Sequence, residues 1–177
     1  MKDRRPPVII IGAHRSGTSA TAYALRLLGL QIGEHLDSHS EPRPLQRLHE
    51  EYLQRSGGAW HQPQAFLKQI ATAEGMRDCV SYLRNNVEHD FARIFGYRNN
   101  PRGLWLKLRM KLGARWGWKE PRTTLFAPAW LDIFPNARIV HVVRDSLAAA
   151  ESIRERELKF QAGGDPPTGN LSDLEYC

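Results

Sequence analysis

The apolar positions of the chain fall into short runs with distinct periods. Val8-Ile9-Ile10-Ile11 is continuous and β-branched, the pattern of a strand buried on both faces of a parallel sheet. A loop rich in Gly and Ser follows at once. Gly17 to Leu28 then reads as a helix that is apolar nearly all round, with Gly29 as its stop. A strand, a tight loop and a buried helix in this order open an α/β domain.

Further along, Pro42 to Arg55 predicts an amphipathic helix that ends at the Ser56-Gly57-Gly58 break. A longer helical region runs from about Pro63 to Phe95, with Phe66, Ile70, Val80, Leu83, Val87, Phe91 and Ile94 on its inner face. Gly75 is a candidate break in it. Asn99-Asn100-Pro101-Arg102-Gly103 is a loop by composition. From Leu104 to Leu112 apolar residues alternate with Trp105, Lys107, Arg109 and Lys111, which fits either a strand or a short basic helix. Arg138 to Val143 predicts a second strand, introduced by a turn at Pro135-Asn136, and Leu147 to Glu157 a closing helix. The tail from Gly163 to Gly169 has loop chemistry, and Leu171 to Cys177 reads as the start of another helix, with Ser172 or Asp173 as its cap. The expected fold is a single P-loop-type α/β domain over 1–177, three-layered, with a central parallel sheet flanked by helices.

Composition narrows the partners more than the fold. Lys and Arg number 25 against 19 acids, giving +6, so an anionic partner is favoured: a phosphorylated small molecule, a nucleic acid or an acidic membrane face. The two cysteines, Cys79 and Cys177, make neither a disulfide framework nor a metal site, and Cys79 sits in a helical apolar pattern as a small core residue. The run behind the charged N-terminus is too short for a signal peptide or a membrane span. A cytoplasmic protein is expected.

Gly12-Ala13-His14-Arg15-Ser16-Gly17-Thr18-Ser19 has the G-x-x-x-x-G spacing of a phosphate loop and lies between strand and helix, the context that motif needs. Gly12 and Gly17 let the backbone turn its N–H groups inward, and the helix N-terminus adds partial positive charge. Ser16, Thr18 and Ser19 contribute hydroxyls. Thr18 stands where a nucleoside triphosphatase carries lysine, and the loop cation is Arg15. That disfavours triphosphate chemistry and suits one phosphate joined to one sulfate. Beyond the second strand, Arg144 stands at the strand's C-terminal end, where ligands bind in open α/β sheets. Ser152 follows about two helical turns later. An arginine and a hydroxyl there suit a second, separate phosphate.

Together the two motifs resemble the sulfotransferase family, in which the first loop binds a 5′-phosphosulfate and an Arg and a Ser eight positions apart bind a 3′-phosphate. Trp116-Gly117-Trp118-Lys119-Glu120-Pro121-Arg122 is similar to a signature of bacterial members whose loop also reads His-Arg-Ser-Gly-Thr-Ser. Gly57-Gly58-Ala59-Trp60 and Phe134-Pro135-Asn136-Ala137-Arg138 look like the same subgroup. The resemblance covers most of residues 8–157. It implies 3′-phosphoadenosine-5′-phosphosulfate as co-substrate, adenosine 3′,5′-bisphosphate as product, and no metal. It implies donor contacts from Gly12, His14, Arg15, Ser16, Gly17, Thr18, Ser19, Arg122, Arg144 and Ser152. It also implies a further C-terminal part past Cys177.

The chemistry to be served is an in-line displacement, which needs positioning, charge stabilisation at the leaving phosphate and an acceptor for the hydroxyl proton. Arg15 and the loop amides are the candidates for the charge, with Lys119 and Arg122 beside them; His14 is expected near the sulfate or supporting the loop. The candidate bases are Glu34 and Glu120. Many polysaccharide sulfotransferases carry Glu just before the matching Lys, where this chain has Trp118. His35, His39 and His49 read as surface residues, and Trp60 as a candidate adenine or acceptor contact. The acceptor is a small molecule or glycan, with no nucleic acid and no membrane span; oligomeric state is not encoded legibly. Two rivals remain: a P-loop kinase using Asp145 for magnesium, and a nucleic-acid module using the basic Leu104–Arg115 stretch.

Overall fold

The computed structural model describes residues 5–33, 36, 41–95 and 100–162. Its centre is a three-stranded parallel sheet, ordered β2-β1-β3: β1 is Val8–Ile11, β2 is Gly117–Lys119 and β3 is Arg138–His141. Val8 pairs with Gly117 on one side and Arg138 on the other. Side chains alternate across β1, as a strand's period of two requires. Ile9 and Ile11 enter the larger core and Ile10 the smaller. Helix α1 (Thr18–Leu27) covers the Ile10 face through Ala22, with Leu25 packed alongside. The other face carries α2 (Arg43–Arg55), α3 (Gln64–Ile70), α4 (Ala73–Ile94) and α6 (Ala127–Ile133). The architecture is the expected three-layer α/β arrangement.

The larger core is strongly aromatic. Trp116, Trp118, Trp130, Phe95 and Phe126 are all buried, and Trp118 meets Phe95 at 4.7 Å and Trp130 at 5.2 Å between ring centroids. Each indole polar atom has a partner where it is buried: Trp116 donates to the Arg5 carbonyl and Trp118 to Thr123 Oγ1. Cys79 is a buried core residue, as its pattern implied.

Several boundaries differ from the sequence reading. The long helix divides at Ala71–Thr72, where Thr72 caps α4 by accepting from the Gly75 amide. Gly75 is needed for close approach, because a Cβ there would lie 2.1 Å from the Gln69 carbonyl oxygen. The Leu104–Leu112 stretch is helical: α5 spans Pro101–Lys111, with Asn100 accepting from the Gly103 amide as its cap and Pro101 at its first turn. Gly117–Lys119, within the Trp-rich signature and marked by no apolar period, is strand β2, and α6 was not foreseen. The final helix, α7, is longer than expected, at Ser146–Ala162. Loop residue Asn99, the tail from Gly163 to Gly169, and Ser172, Asp173 and Cys177 lie outside the described residues, as do His35, His39 and Glu34. Among the described residues, no helix is long and apolar enough to cross a membrane.

Candidate active site

The loop between β1 and α1 leaves the C-terminal end of the central strand. Gly12 has φ +151°, and a Cβ on it would sit 2.5 Å from the Val142 carbonyl oxygen, so only glycine fits this turn. Its amide donates to Thr124 Oγ1 at 3.0 Å, and the Thr124 hydroxyl donates back to the Gly12 carbonyl. Thr124 lies in a 3₁₀ turn, Pro121–Thr124, directly after β2. Ser16 Oγ donates to the Ala13 carbonyl at 2.7 Å and closes the loop on itself.

Arg15 adopts φ 66°, a left-handed conformation that costs a non-glycine residue on the order of 1 kcal/mol. Two contacts hold it there. Its Nε donates to Ser152 Oγ at 2.9 Å, and its carbonyl accepts from Arg144 Nη1 at 2.9 Å. The loop cation and the distant Arg/Ser pair are therefore one hydrogen-bonded unit. Asp145, the acid a magnesium-dependent kinase would use, instead caps α7 by accepting from the Ala148 amide.

Arg15 and Arg144 border a cavity of about 610 Å³. His14 through Ala20 form one wall, and Lys119, Arg122, Arg144 and Arg156 bring further positive charge. Arg156 was not anticipated. It lies one helical turn beyond Ser152 on α7, and its Nε is buried with no hydrogen-bond partner among the described residues. Among the described residues, Glu41 is the only carboxylate lining the cavity. It too was missed, since Ser40-Glu41-Pro42 reads as polar loop. Glu41 Oε1 accepts from Lys119 Nζ and Oε2 from Gln46 Nε2, both at 2.5 Å.

His14 borders the cavity with its Nε2 buried and unpartnered, so the expected loop-supporting bond is not made by that atom. Its ring lies 4.4 Å from Trp60, centroid to centroid, which gives Trp60 a place behind the loop. Burial holds His14 well below its ordinary value, at about 4; Arg122, Arg156 and Lys119 push the same way, against Glu120. The imidazole is neutral near pH 7.

Glu120 and His49 correct the sequence reading. His49 is fully buried, not on the surface; it lies on the inner face of α2 with Leu45, Leu48, Tyr52 and Leu53. Trp130 Nε1 donates to His49 Nε2 at 3.0 Å; an indole can only donate, so the imidazole proton sits on Nδ1, facing Glu120 Oε2 at 2.5 Å. Glu120 Oε1 accepts from the Arg122 amide and from Arg122 Nη1. Burial alone would raise the Glu120 carboxyl; its contacts with His49 and Arg122 outweigh this and bring it down to about 2. With both oxygens engaged behind the cavity wall, Glu120 supports Arg122, whose Nε also meets Glu50 Oε2 at 3.1 Å.

A family model described as "Sulfotransferase family" matches residues 6–163, which takes in β1, the loop, β2, β3 and all of α7. Searches of curated proteins and of solved structures returned no match.

Proposed function

The chain belongs to the sulfotransferase family, and on that premise we propose that it transfers a sulfuryl group from 3′-phosphoadenosine-5′-phosphosulfate to an acceptor hydroxyl. The observation that carries the reading is the joint between Arg15, Ser152 and Arg144, which brings the phosphate loop and the distant Arg/Ser pair together beside one cavity bordered by Arg15 and Arg144. The loop amides and Arg15 face the 5′-phosphosulfate, and Arg144 and Ser152 face the 3′-phosphate. Lys119, Arg122 and Arg156 steady the oxygens of the transferring group and the leaving phosphate. Neutral His14 offers an uncharged hydrogen-bonding edge beside them.

Glu41 is the proton acceptor in this scheme. As the acceptor oxygen bonds to sulfur, its proton passes to the Glu41 carboxylate, and the bond from sulfur to the bridging oxygen breaks. That oxygen leaves with adenosine 3′,5′-bisphosphate. Gln46 and Arg122 border both this cavity and a second, polar one of about 410 Å³ along α2, which suits entry of a hydroxylated small molecule or glycan. The test is donor competition followed by turnover. Adenosine 3′,5′-bisphosphate should bind tightly without magnesium, and labelled sulfate should move from donor to acceptor. Magnesium-dependent ATP binding without binding of the bisphosphate would refute the proposal.

A further inference from the structure

Helix α5 is apolar on two opposite sides. One side faces the protein: Met110 is buried and Leu106 packs against the larger core. On the other, Leu104, Trp105, Leu108 and Leu112 are between 52% and 78% exposed. Their spacing places all four on one stripe of the helix and its end. A monomer seldom leaves so much contiguous apolar surface in water without a use for it. The charges along this segment have one sign. Between Asp90 and Glu120 the chain contains no acid, and Arg109, Lys111 and Arg115 are exposed beside the leucines. The Arg109 guanidinium lies over the Trp105 ring at 4.8 Å. A cleft of about 350 Å³, bordered by Arg26 and Arg109, brings the end of α1 next to α5, and Leu27 and Leu28 there are exposed as well.

We propose that this face docks on an anionic phospholipid surface. Leucines and a tryptophan flanked by arginine and lysine match the boundary between headgroups and acyl chains, where apolar burial and attraction to anionic lipid act together. A nucleic acid would use the cations but gain nothing from the leucines. A second copy would bury the leucines but set Arg109, Lys111 and Arg115 against their own equivalents. The docking face also lies away from the cavity. Helix α5 feeds the N-terminal end of β2 through Arg115 and Trp116, whereas the Gly12–Ser19 loop leaves the C-terminal end of the parallel β1. Docking therefore leaves the cavity open to the aqueous side and is independent of the sulfuryl-transfer reading.

The test is co-sedimentation of the full chain with vesicles of phosphatidylcholine alone and of phosphatidylcholine and phosphatidylserine in equal parts. Partition onto the mixed vesicles, weakening with salt, is expected. Leu108→Ser with Leu112→Ser should lower it about tenfold, and Arg109→Gln with Lys111→Gln by a similar factor. Lipids bearing a doxyl quencher should quench tryptophan emission, and Trp105→Phe should remove that quenching. Neither pair of substitutions should change affinity for adenosine 3′,5′-bisphosphate. Absence of partition, or equal partition onto both vesicles, overturns the proposal. So does tighter binding to duplex DNA that ignores the leucine substitutions, or a concentration-dependent dimer that those substitutions dissolve.

Discussion

Arg15 and Ser152 are joined at 2.9 Å through the arginine Nε, so the phosphate loop and helix α7 hold each other in place. Arg144 reinforces the joint from the other side by donating to the Arg15 carbonyl. Each contact is a hydrogen bond donated by a guanidinium, worth roughly 1.5–3 kcal/mol, more than the cost of the left-handed backbone at Arg15. The loop is thereby set in its working shape by residues far away in sequence.

Arg15→Ala should lower kcat/KM at least about 100-fold, the usual cost of removing one donor aimed at developing charge. Steady-state assays with labelled donor check this, alongside circular dichroism to establish that the fold persists. Unchanged turnover would remove Arg15 from the chemistry.

Arg144→Ala and Ser152→Ala should each weaken adenosine 3′,5′-bisphosphate by roughly 10- to 100-fold, the equivalent of a lost charge-assisted bond. Adenosine 5′-phosphosulfate has no 3′-phosphate and should lose less, only what the loosened Arg15 costs it. Calorimetric titration of both ligands distinguishes the cases, and equal losses would contradict the assigned role.

Glu41→Gln should slow turnover about 100-fold or more while leaving donor affinity nearly unchanged. Glu34→Gln is the matched comparison. If turnover collapses there and survives at Glu41, the base is Glu34.

Glu120→Ala should cost about 3–5 kcal/mol of stability, because His49 and Arg122 would each lose a buried partner. Urea denaturation measures this directly. Glu120→Gln should cost less, since an amide oxygen can still accept from His49 Nδ1. A Glu120→Gln protein of full stability that no longer turns over would return Glu120 to the reacting atoms.

Stability should also depend on His14. The unfolded chain takes up this proton around the ordinary value of 6.5 and the folded chain only near 4. The contribution is therefore fully present above about pH 6.5 and is lost as pH falls towards 4. Glu120, lowered from 4.5 to about 2, adds a separate loss below that range. His14→Asn should flatten the upper slope and spare the lower one. Thermal melts across this range decide it.

The parts of the site that were legible are those carried by local pattern. Gly12 and Gly17 are spaced for a loop and lie between a β-branched run and a helix; Arg144 follows a strand; Ser152 follows by helical spacing. His49 was legible in principle, since Leu45, Leu48, His49, Tyr52 and Leu53 recur at helical spacing on one face. Reading it by polarity put it on the surface. Glu41 and Lys119 were a different matter. A buried lysine in a three-residue strand is tolerable only because a carboxylate from a separate loop meets it, and no local period records that meeting. Helix α5 was ambiguous for a physical reason: apolar residues on both its sides erase the contrast on which a helical period depends.

The arrangement of the sheet bears on how the protein reaches its native state. β1 is made first, yet both its partners, at Gly117 and at Arg138, come late in the chain. During synthesis Val8–Ile11 must wait, β-branched and unpaired on both edges, until residues 117–141 have emerged. Contacts so distant in sequence make folding slow and leave this segment open to pairing with other chains. Refolding yield should therefore fall steeply with protein concentration, and a chaperone that shields the N-terminal strand should restore it.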